Sequence, residues 1–170
     1  MIVNMYISQI KTERLILVPP SVDCFDMYER FYTDAHASRL YGGPITRGAA
    51  WSRLKSDLGS WYLSGFGVWV IKFEDEFVGT CGFWQGKDWP RELTWWLLPD
   101  ARRKGLAYES SRAVVSHAYE AFDWDIVETY MNDTNLPART LVEKLGGVKN
   151  RRQTLPDGME RDIYVIPNPG

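Results

Sequence analysis

Residues 92–107, ELTWWLLPDARRKGLA, join an apolar, strand-like segment to a basic turn and to a helix start built from small residues. The strand-like segment ends at Pro99, and the adjacent cations of the turn are Arg102, Arg103 and Lys104. Because the first amides of a helix lack intrahelical partners and carry partial positive charge, an anion fits there. Gly105 and Ala107 leave room for it, and the cations add charge-assisted donors. The stretch predicts a phosphate-binding turn between a strand and a helix.

The two most familiar phosphate-binding motifs do not occur in the chain, neither G-x-x-x-x-G-K-[ST] nor a G-x-G-x-x-G that opens a β–α–β unit. Residues 102–107 instead match the pattern Q/R-x-x-G-x-G/A. The segments that accompany them are TERLIL at 12–17, FVGTCGFW at 77–84, ELTWWLLP at 92–99, and Asn135 followed by LVEKLGG at 141–147. In these segments and their order, the chain resembles the GNAT superfamily of acyl-CoA-dependent N-acyltransferases from Thr12 to Tyr164. It is most similar to the branch typified by ribosomal-protein N-terminal acetyltransferases.

The resemblance implies a fold and a reaction. The fold is α/β (α+β), with a mixed, mostly antiparallel sheet of about six to seven strands and about four helices, splayed between strands 4 and 5. One domain over residues 1–170 is expected. The implied reaction moves an acetyl group from acetyl-CoA to a primary amine, by direct attack in a ternary complex and without a metal. The amine belongs to a small molecule or to a protein or peptide N-terminus, and the sequence does not choose between them.

The same resemblance assigns residues to the cofactor. They are Leu97, Leu98, Arg102, Arg103, Lys104, Gly105, Leu106, Ala107, Asn135 and Ala138. The turn would hold the CoA pyrophosphate, the Leu97 amide would face the thioester carbonyl, and Asn135 would bind the pantetheine arm. Arg103 replaces a common glycine, and Ala138 replaces a common serine. Simpler explanations stay open: a solvated basic turn, an ordinary strand residue at Leu97, and a helix N-cap at Asn135.

The acid and the base are less clearly marked. Val142 occupies the position where many members carry a tyrosine that protonates the leaving thiolate, so a water, Tyr164 or Tyr130 would replace it. Glu92 is the base candidate, because a strand carboxylate beside the acetyl site could accept the amine proton; a solvated carboxylate is the alternative. Glu109, in the first turn of a helix, is a minor candidate that complements the helix dipole.

The base question bears on the acceptor. An α-amine has a pKa of about 7.7–8 and is partly neutral at pH 7, whereas a lysine-like amine would need about 4–5 kcal/mol of deprotonation. A site without a strong base therefore favours α-amines.

Composition limits the kinds of partner that the protein is expected to bind and the compartment in which it is expected. A net charge of −2 argues against nucleic-acid binding, and no apolar run is long enough for a membrane span. Cys24 and Cys81 lie far apart in apolar surroundings, which favours buried free thiols in the cytoplasm. His36 and His117 lack partners at metal-ligand spacing.

Aromatic residues make up 14% of the chain and include eight tryptophans, some of which should line a cleft. Strand alternation places Trp95 and Trp96 on opposite faces, one of them in the core. Two other functions stay open beside the enzyme: a CoA-binding sensor that is catalytically weak or inactive, and a tryptophan-rich interface for a partner, including a homodimer.

Hydrophobic periodicity and turn residues predict the order of the elements. The predicted strands are residues 14–18, 66–73, 77–84, 91–98, 126–131, 148–155 and 159–166. The predicted helices run from Ser21 to 32, from Thr46 to 65, over 105–122 and over 136–145, with Ser21 as an N-cap. Trp51, Trp61 and Tyr62 are expected on one face of the second helix.

Overall fold

Antiparallel strands form two sheets in the structure, a computed structural model that describes residues 6–170. The larger sheet consists of β1 (Ile10–Lys11), β2 (Leu15–Val18), β3 (Val68–Phe73), β4 (Glu76–Trp84) and β5 (Glu92–Leu97), paired in that order. The smaller sheet consists of β6 (Val127–Tyr130), β7 (Val148–Thr154) and β8 (Glu160–Ile166), in the order β6-β8-β7. The predicted fold class is confirmed.

Four α-helices among the described residues pack against these sheets: α1 (Phe25–Tyr32), α2 (Arg47–Ser64), α3 (Leu106–Glu120) and α4 (Leu136–Lys144). Local chemistry sets their ends. The Thr46 hydroxyl accepts from the Ala49 amide at 3.1 Å and caps α2, which ends at Gly65 with φ 77. Asn135 caps α4.

The differences from the predicted elements are small and have local causes. β1 is only two residues long, too short to show an alternating pattern, and brings the strands within residues 6–170 to eight. Ser21 was expected to cap the first helix, but a 3-10 turn at Val22–Cys24 precedes α1, and Ser21 makes no capping hydrogen bond. Trp51 and Tyr62 do not share the buried face of α2 with Trp61, since only a narrower stripe of that helix meets the core.

Among the described residues the core has one part on each face of the larger sheet and a small third cluster, Tyr130, Leu155 and Ile163, at the smaller sheet. Trp69 and Ile71 of β3 pack with α3, whereas Val70 between them packs with α1 and α2. The prediction for Trp95 and Trp96 is confirmed in the same way. Trp95 contacts the α3 side, and Trp96 is buried on the other side, stacked on Phe31 at 3.9 Å between ring centroids.

The two sheets meet where β5 and β6 lie side by side without pairing. In the chain, α3 connects these two strands. A hydrogen bond spans the gap between them, in which the Thr129 hydroxyl donates to the Leu93 carbonyl at 2.8 Å. Strands 4 and 5 of the prediction correspond to β5 and β6. The expected splay is therefore present, and it opens one edge of β5.

Candidate functional site

The open edge of β5 is defined by its hydrogen bonds to β4. The Leu98 amide donates to the Val78 carbonyl at 2.8 Å, and antiparallel strands alternate between bonded and non-bonded pairs. Leu93, Trp95 and Leu97 therefore turn both main-chain groups away from β4. Their carbonyls are occupied, since they accept in turn from the Thr129 hydroxyl (2.8 Å), the Tyr41 hydroxyl and Arg102 Nε (3.1 Å).

The amides of Trp95 and Leu97 on this edge are free. Neither donates to another group among residues 6–170. Fixed main-chain donors on an open strand are suited to an oxygen on which negative charge develops. The Leu97 amide, which the resemblance assigns to the thioester carbonyl, is therefore available as a donor, whereas Leu98 behind it is buried and paired with β4.

The basic turn that follows β5 also presents free amides. The Arg102 amide donates to Pro99 at 3.2 Å, and the Glu109 amide donates to Gly105 at 3.1 Å as the first bond of α3. Within the described part of the chain, the amides from Arg103 to Tyr108 donate to nothing. Such a run of free donors at a helix start fits a diphosphate.

The three basic side chains of the turn are not equally available to bind an anion. Arg102 directs its guanidinium at main-chain carbonyls, those of Leu97 (3.1 Å) and Ala37 (3.0 Å). Arg103 and Lys104 are exposed, and Leu106 belongs to the core. In this turn the exposed cations are therefore Arg103 and Lys104, the latter with Nζ 5.8 Å from the centre of the Phe73 ring, whereas Leu106 and the half-buried Ala107 offer only their amides.

Backbone conformation explains the glycine of the turn. Two residues of the turn have a positive φ angle: Gly105, with φ 77, and Arg103, two positions before it, with φ 63. L-residues pay about 1–2 kcal/mol in this left-handed region. At Gly105 an added Cβ would also lie 3.3 Å from Arg14 Nη2. Glycine therefore allows both the turn and the close approach of Arg14.

Arg103→Gly is expected to raise the free energy of unfolding by about 0.5–1 kcal/mol, because the relief of left-handed strain exceeds the entropy that glycine costs. Urea denaturation measures the change. Arg103→Ala is the matched control, since it removes the same charge and keeps the strain. Equal stability of the two variants would show that the turn is not strained at this residue.

A cleft of 660 Å³ lies along the open edge of β5, between the two sheets. Its lining comes from both sheets, from α1 and α2, and from the start of α4. The polar and small residues of the lining include Asp57, Glu92, Tyr130, Asn135, Ala138 and Arg161. The cleft therefore brings the base candidate and the pantetheine candidates together.

Glu92 lies at the start of β5 and is partly buried in the cleft wall. Burial raises the pKa of its carboxyl group to about 8, although Arg161 and Tyr130 nearby act in the opposite direction. The group is thus held where it can exchange a proton near neutral pH. Sequence alone left open a solvated carboxylate, whose pKa would stay near its ordinary value.

The two tyrosine candidates for the acid occupy different places. Tyr130 lines the cleft, donates to the Pro90 carbonyl at 3.0 Å, and has its pKa raised by burial and by Glu92. Tyr164 is not part of the cleft wall: it is buried in β8, where alternation turns it away from the face that carries Arg161. Of the two tyrosines, only Tyr130 lines the cleft, and the role of Tyr164 as the acid stays a prediction.

The start of α4 combines two roles for Asn135. Its Oδ1 atom accepts from the Ala138 amide at 3.3 Å, which is the N-cap contact. Both residues line the cleft, so the side-chain NH2 group of Asn135 stays available there. Val142 is fully buried and offers no hydroxyl.

Two cleft residues were missed from sequence. Asp57 accepts from the Tyr28 hydroxyl at 2.5 Å, and burial raises its pKa to about 6. A carboxylate at helical spacing between the buried Leu54 and Trp61 was the available signal. Arg161 is almost fully buried and pairs with Asp157 Oδ2 at 2.7 Å.

Other features bear on the expected partners. Cys24 and Cys81 are free and buried, and burial raises the pKa of Cys81 to about 11. Over residues 6–170, no cluster of three His, Cys, Asp or Glu side chains is arranged to bind a metal. None of the helices described is long and apolar enough to span a bilayer.

Solved structures similar to this chain include several acetyltransferases. The acetyltransferase from Agrobacterium tumefaciens str. C58 is similar over 98% of this chain and 98% of its own, with 25% identity and a TM-score of 0.86. A GNAT-family acetyltransferase from Bacillus anthracis covers 96% of this chain and 100% of its own, at 16% identity and a TM-score of 0.79. RimL, a ribosomal L7/L12 alpha-N-protein acetyltransferase in complex with coenzyme A, covers 96% and 100% at 11% identity, with a TM-score of 0.76.

The family profile described as Acetyltransferase (GNAT) domain matches residues 14–148. The chain therefore belongs to the GNAT acetyltransferase family, whose fold supports acyl transfer from acetyl-CoA. A comparison with curated proteins found no match.

Proposed function

We propose that this protein transfers an acetyl group from acetyl-CoA to the α-amine of a small molecule or a peptide. The observation that carries the proposal is a pair of free main-chain surfaces. One is the run of amides from Arg103 to Tyr108, and the other is the amide of Leu97 at the end of β5, the strand whose residues 92–96 line the cleft. The first surface fits a diphosphate and the second fits a thioester carbonyl.

The cosubstrate supplies an activated acetyl group as a thioester. The exposed Arg103 and Lys104 add charge beside the diphosphate, and the Asn135 side chain offers its NH2 group to the arm between diphosphate and thioester. Leu97 N–H donates to the carbonyl oxygen as the amine attacks. Holding the reactants in line contributes several kcal/mol without dedicated chemistry from the protein.

Glu92 accepts the proton that the attacking amine loses, directly or through a water. With a pKa of about 8, this carboxylate matches an α-amine of about 7.7–8, so the proton is shared almost evenly. A lysine side chain of about 10.4 would lose its proton to Glu92 at a cost of about 3 kcal/mol. The thiolate leaves with a proton from water or from the Tyr130 hydroxyl, which the cleft wall supplies in place of Tyr164.

Peptides that carry both a free α-amine and an internal lysine test the acceptor class. We expect acetylation of the α-amine over the lysine by roughly 300-fold in kcat/KM, the ratio that the two amine pKa values set. Mass spectrometry of the fragments locates the acetyl group. Equal modification of both amines would contradict the α-amine assignment and leave acetyl transfer itself intact.

Calorimetry with CoA and thiol release with acetyl-CoA separate the enzyme from the alternative. The fully buried Val142, where many relatives carry a tyrosine, favours that alternative, a CoA-binding module with weak or no turnover. CoA binding with thiol release on addition of amines supports the enzyme. Binding without release above background supports the module, and an absence of binding removes both.

A further inference from the structure

Thr12 and Arg14, from the segment TERLIL, contact the first turn of α3 through Glu109. Arg14 Nε donates to Glu109 Oε1 at 2.7 Å, and the Arg14 amide donates to Oε2 at 2.9 Å. The Thr12 hydroxyl donates to Oε2 as well. Burial alone would raise the pKa of Glu109, but these hydrogen bonds outweigh it and lower the pKa. Glu109 is therefore an ionised anchor for Arg14 and is not free to act as a base.

The other end of the Arg14 guanidinium reaches the basic turn. Nη1 donates to the Lys104 carbonyl at 2.9 Å, and Nη2 lies 3.3 Å from the place where a Cβ on Gly105 would stand. In a trans peptide the carbonyl and the following N–H point in opposite directions. Because Arg14 holds the Lys104 carbonyl, it also fixes the Gly105 N–H, which points away from Arg14.

We infer that Arg14 is a positioning residue for the cofactor: it is anchored by Glu109 and rotates the peptide between Lys104 and Gly105 so that the Gly105 amide faces the diphosphate. The inference rests on the proposed function, in which this turn binds CoA. A planar guanidinium can serve the carboxylate and the carbonyl at once through fixed, divergent donors, whereas a lysine ammonium cannot. The residue acts through the main chain and needs no contact with CoA.

The test compares Arg14→Lys with the wild type for a ligand that has a diphosphate and for one that lacks it. We expect the Kd of CoA, measured by calorimetry, to rise roughly tenfold, the loss of about one hydrogen bond. The kcat at saturating acetyl-CoA should stay unchanged. With S-acetylpantetheine, which has no diphosphate, kcat/KM should also stay unchanged, a selectivity that a general loss of stability would not produce.

Arg151→Lys is the matched control. Arg151 pairs with Glu128 at 2.5 Å with side-chain exposures of 38% and 17%, close to the 40% and 18% of the Arg14 and Glu109 pair. It lies on β7 in the smaller sheet, away from the turn. This variant should leave the CoA affinity and both activities as they are.

The amide resonance of Gly105 gives a second measurement in the wild-type protein, which does not depend on the folding of any variant. We expect it to move on addition of CoA, more than amides of the smaller sheet. An unmoved resonance, an unchanged CoA affinity in Arg14→Lys, or equal losses with acetyl-CoA and S-acetylpantetheine would each overturn the inference. If the wild type failed to bind CoA at all, the proposed function would fall first, so the two failures are distinguishable.

Discussion

Replacing Glu92 with glutamine is expected to lower kcat/KM by about 10²–10⁴, the usual contribution of a general base, while CoA affinity stays the same. In the wild type, kcat/KM should rise with pH, reach half its maximum near pH 8 and level off about one pH unit higher, because burial raises the pKa of Glu92 to about 8 and the ionised form is the active one. An aromatic amine that is neutral throughout the range serves as acceptor, so that the titration belongs to the enzyme. The rise should vanish in Glu92→Gln.

The pH dependence of the free energy of unfolding is an independent test of the Glu92→Gln variant. A carboxyl group whose pKa is raised in the folded state favours folding less and less as pH increases from its unfolded value of about 4.3 toward the folded value. Glu92→Gln removes this penalty. The variant should therefore gain stability relative to the wild type between pH 5 and 8 and match it near pH 4, as urea denaturation at several pH values would show.

Glu76→Gln, at an exposed position at the start of β4, is the control for both measurements. It should alter neither the pH profile nor the stability difference. A Glu92→Gln enzyme that kept its activity and its pH dependence would exclude Glu92 as the base. Asp57 of α2, which also lines the cleft and has a pKa raised by burial to about 6, would then be the next carboxylate to replace.

Trp96→Ala should lower the free energy of unfolding by about 3–5 kcal/mol, a large share of the stability of a domain this size. Trp96 is 4% exposed and stacked on Phe31, with edge-on contacts to Tyr28 and Tyr32 at 5.5 Å. Removal of the indole ring leaves a cavity beside Phe31, Tyr28 and Tyr32, and these three rings cannot move together to fill it. Urea denaturation followed by far-UV circular dichroism measures the loss.

Trp84→Ala is the control for size and residue type. Trp84 also lines the cleft but is 38% exposed, with one edge-on contact to Trp89. It should cost about 1 kcal/mol. If both tryptophan variants lost the same stability, burial of Trp96 between β5 and α1 would not be what holds this part of the core.

Much of the fold was visible in local patterns. The alternating apolar strands, the Thr46 cap and the glycine ends of helices depend on neighbours within a few residues, so spacing alone predicts them. The turn after β5 was predicted for the same reason: its free amides follow from a helix start, whatever surrounds it. Ser21 was misplaced because a capping residue does not distinguish an α-helix from a 3-10 turn.

The site was only partly predictable. Spacing named Glu92 but could not tell a solvated carboxylate from a buried one, because the difference lies in what other strands and helices bring against it. The sequence did not distinguish Tyr164 from Tyr130 as the candidate acid for the leaving thiolate. Only the tertiary structure separates them, because it places Tyr130 in the cleft wall and Tyr164 outside it.

The amino-acid order thus specifies the elements, the family and the chemistry of the turn after β5, because each depends on residues adjacent in the chain. Tertiary structure alone decides what those groups do. The contacts of Arg14 with Glu109 and with Lys104 join residues 95 and 90 positions apart. The pKa of Glu92 likewise depends on burial by distant segments, and no local pattern encodes how such segments meet.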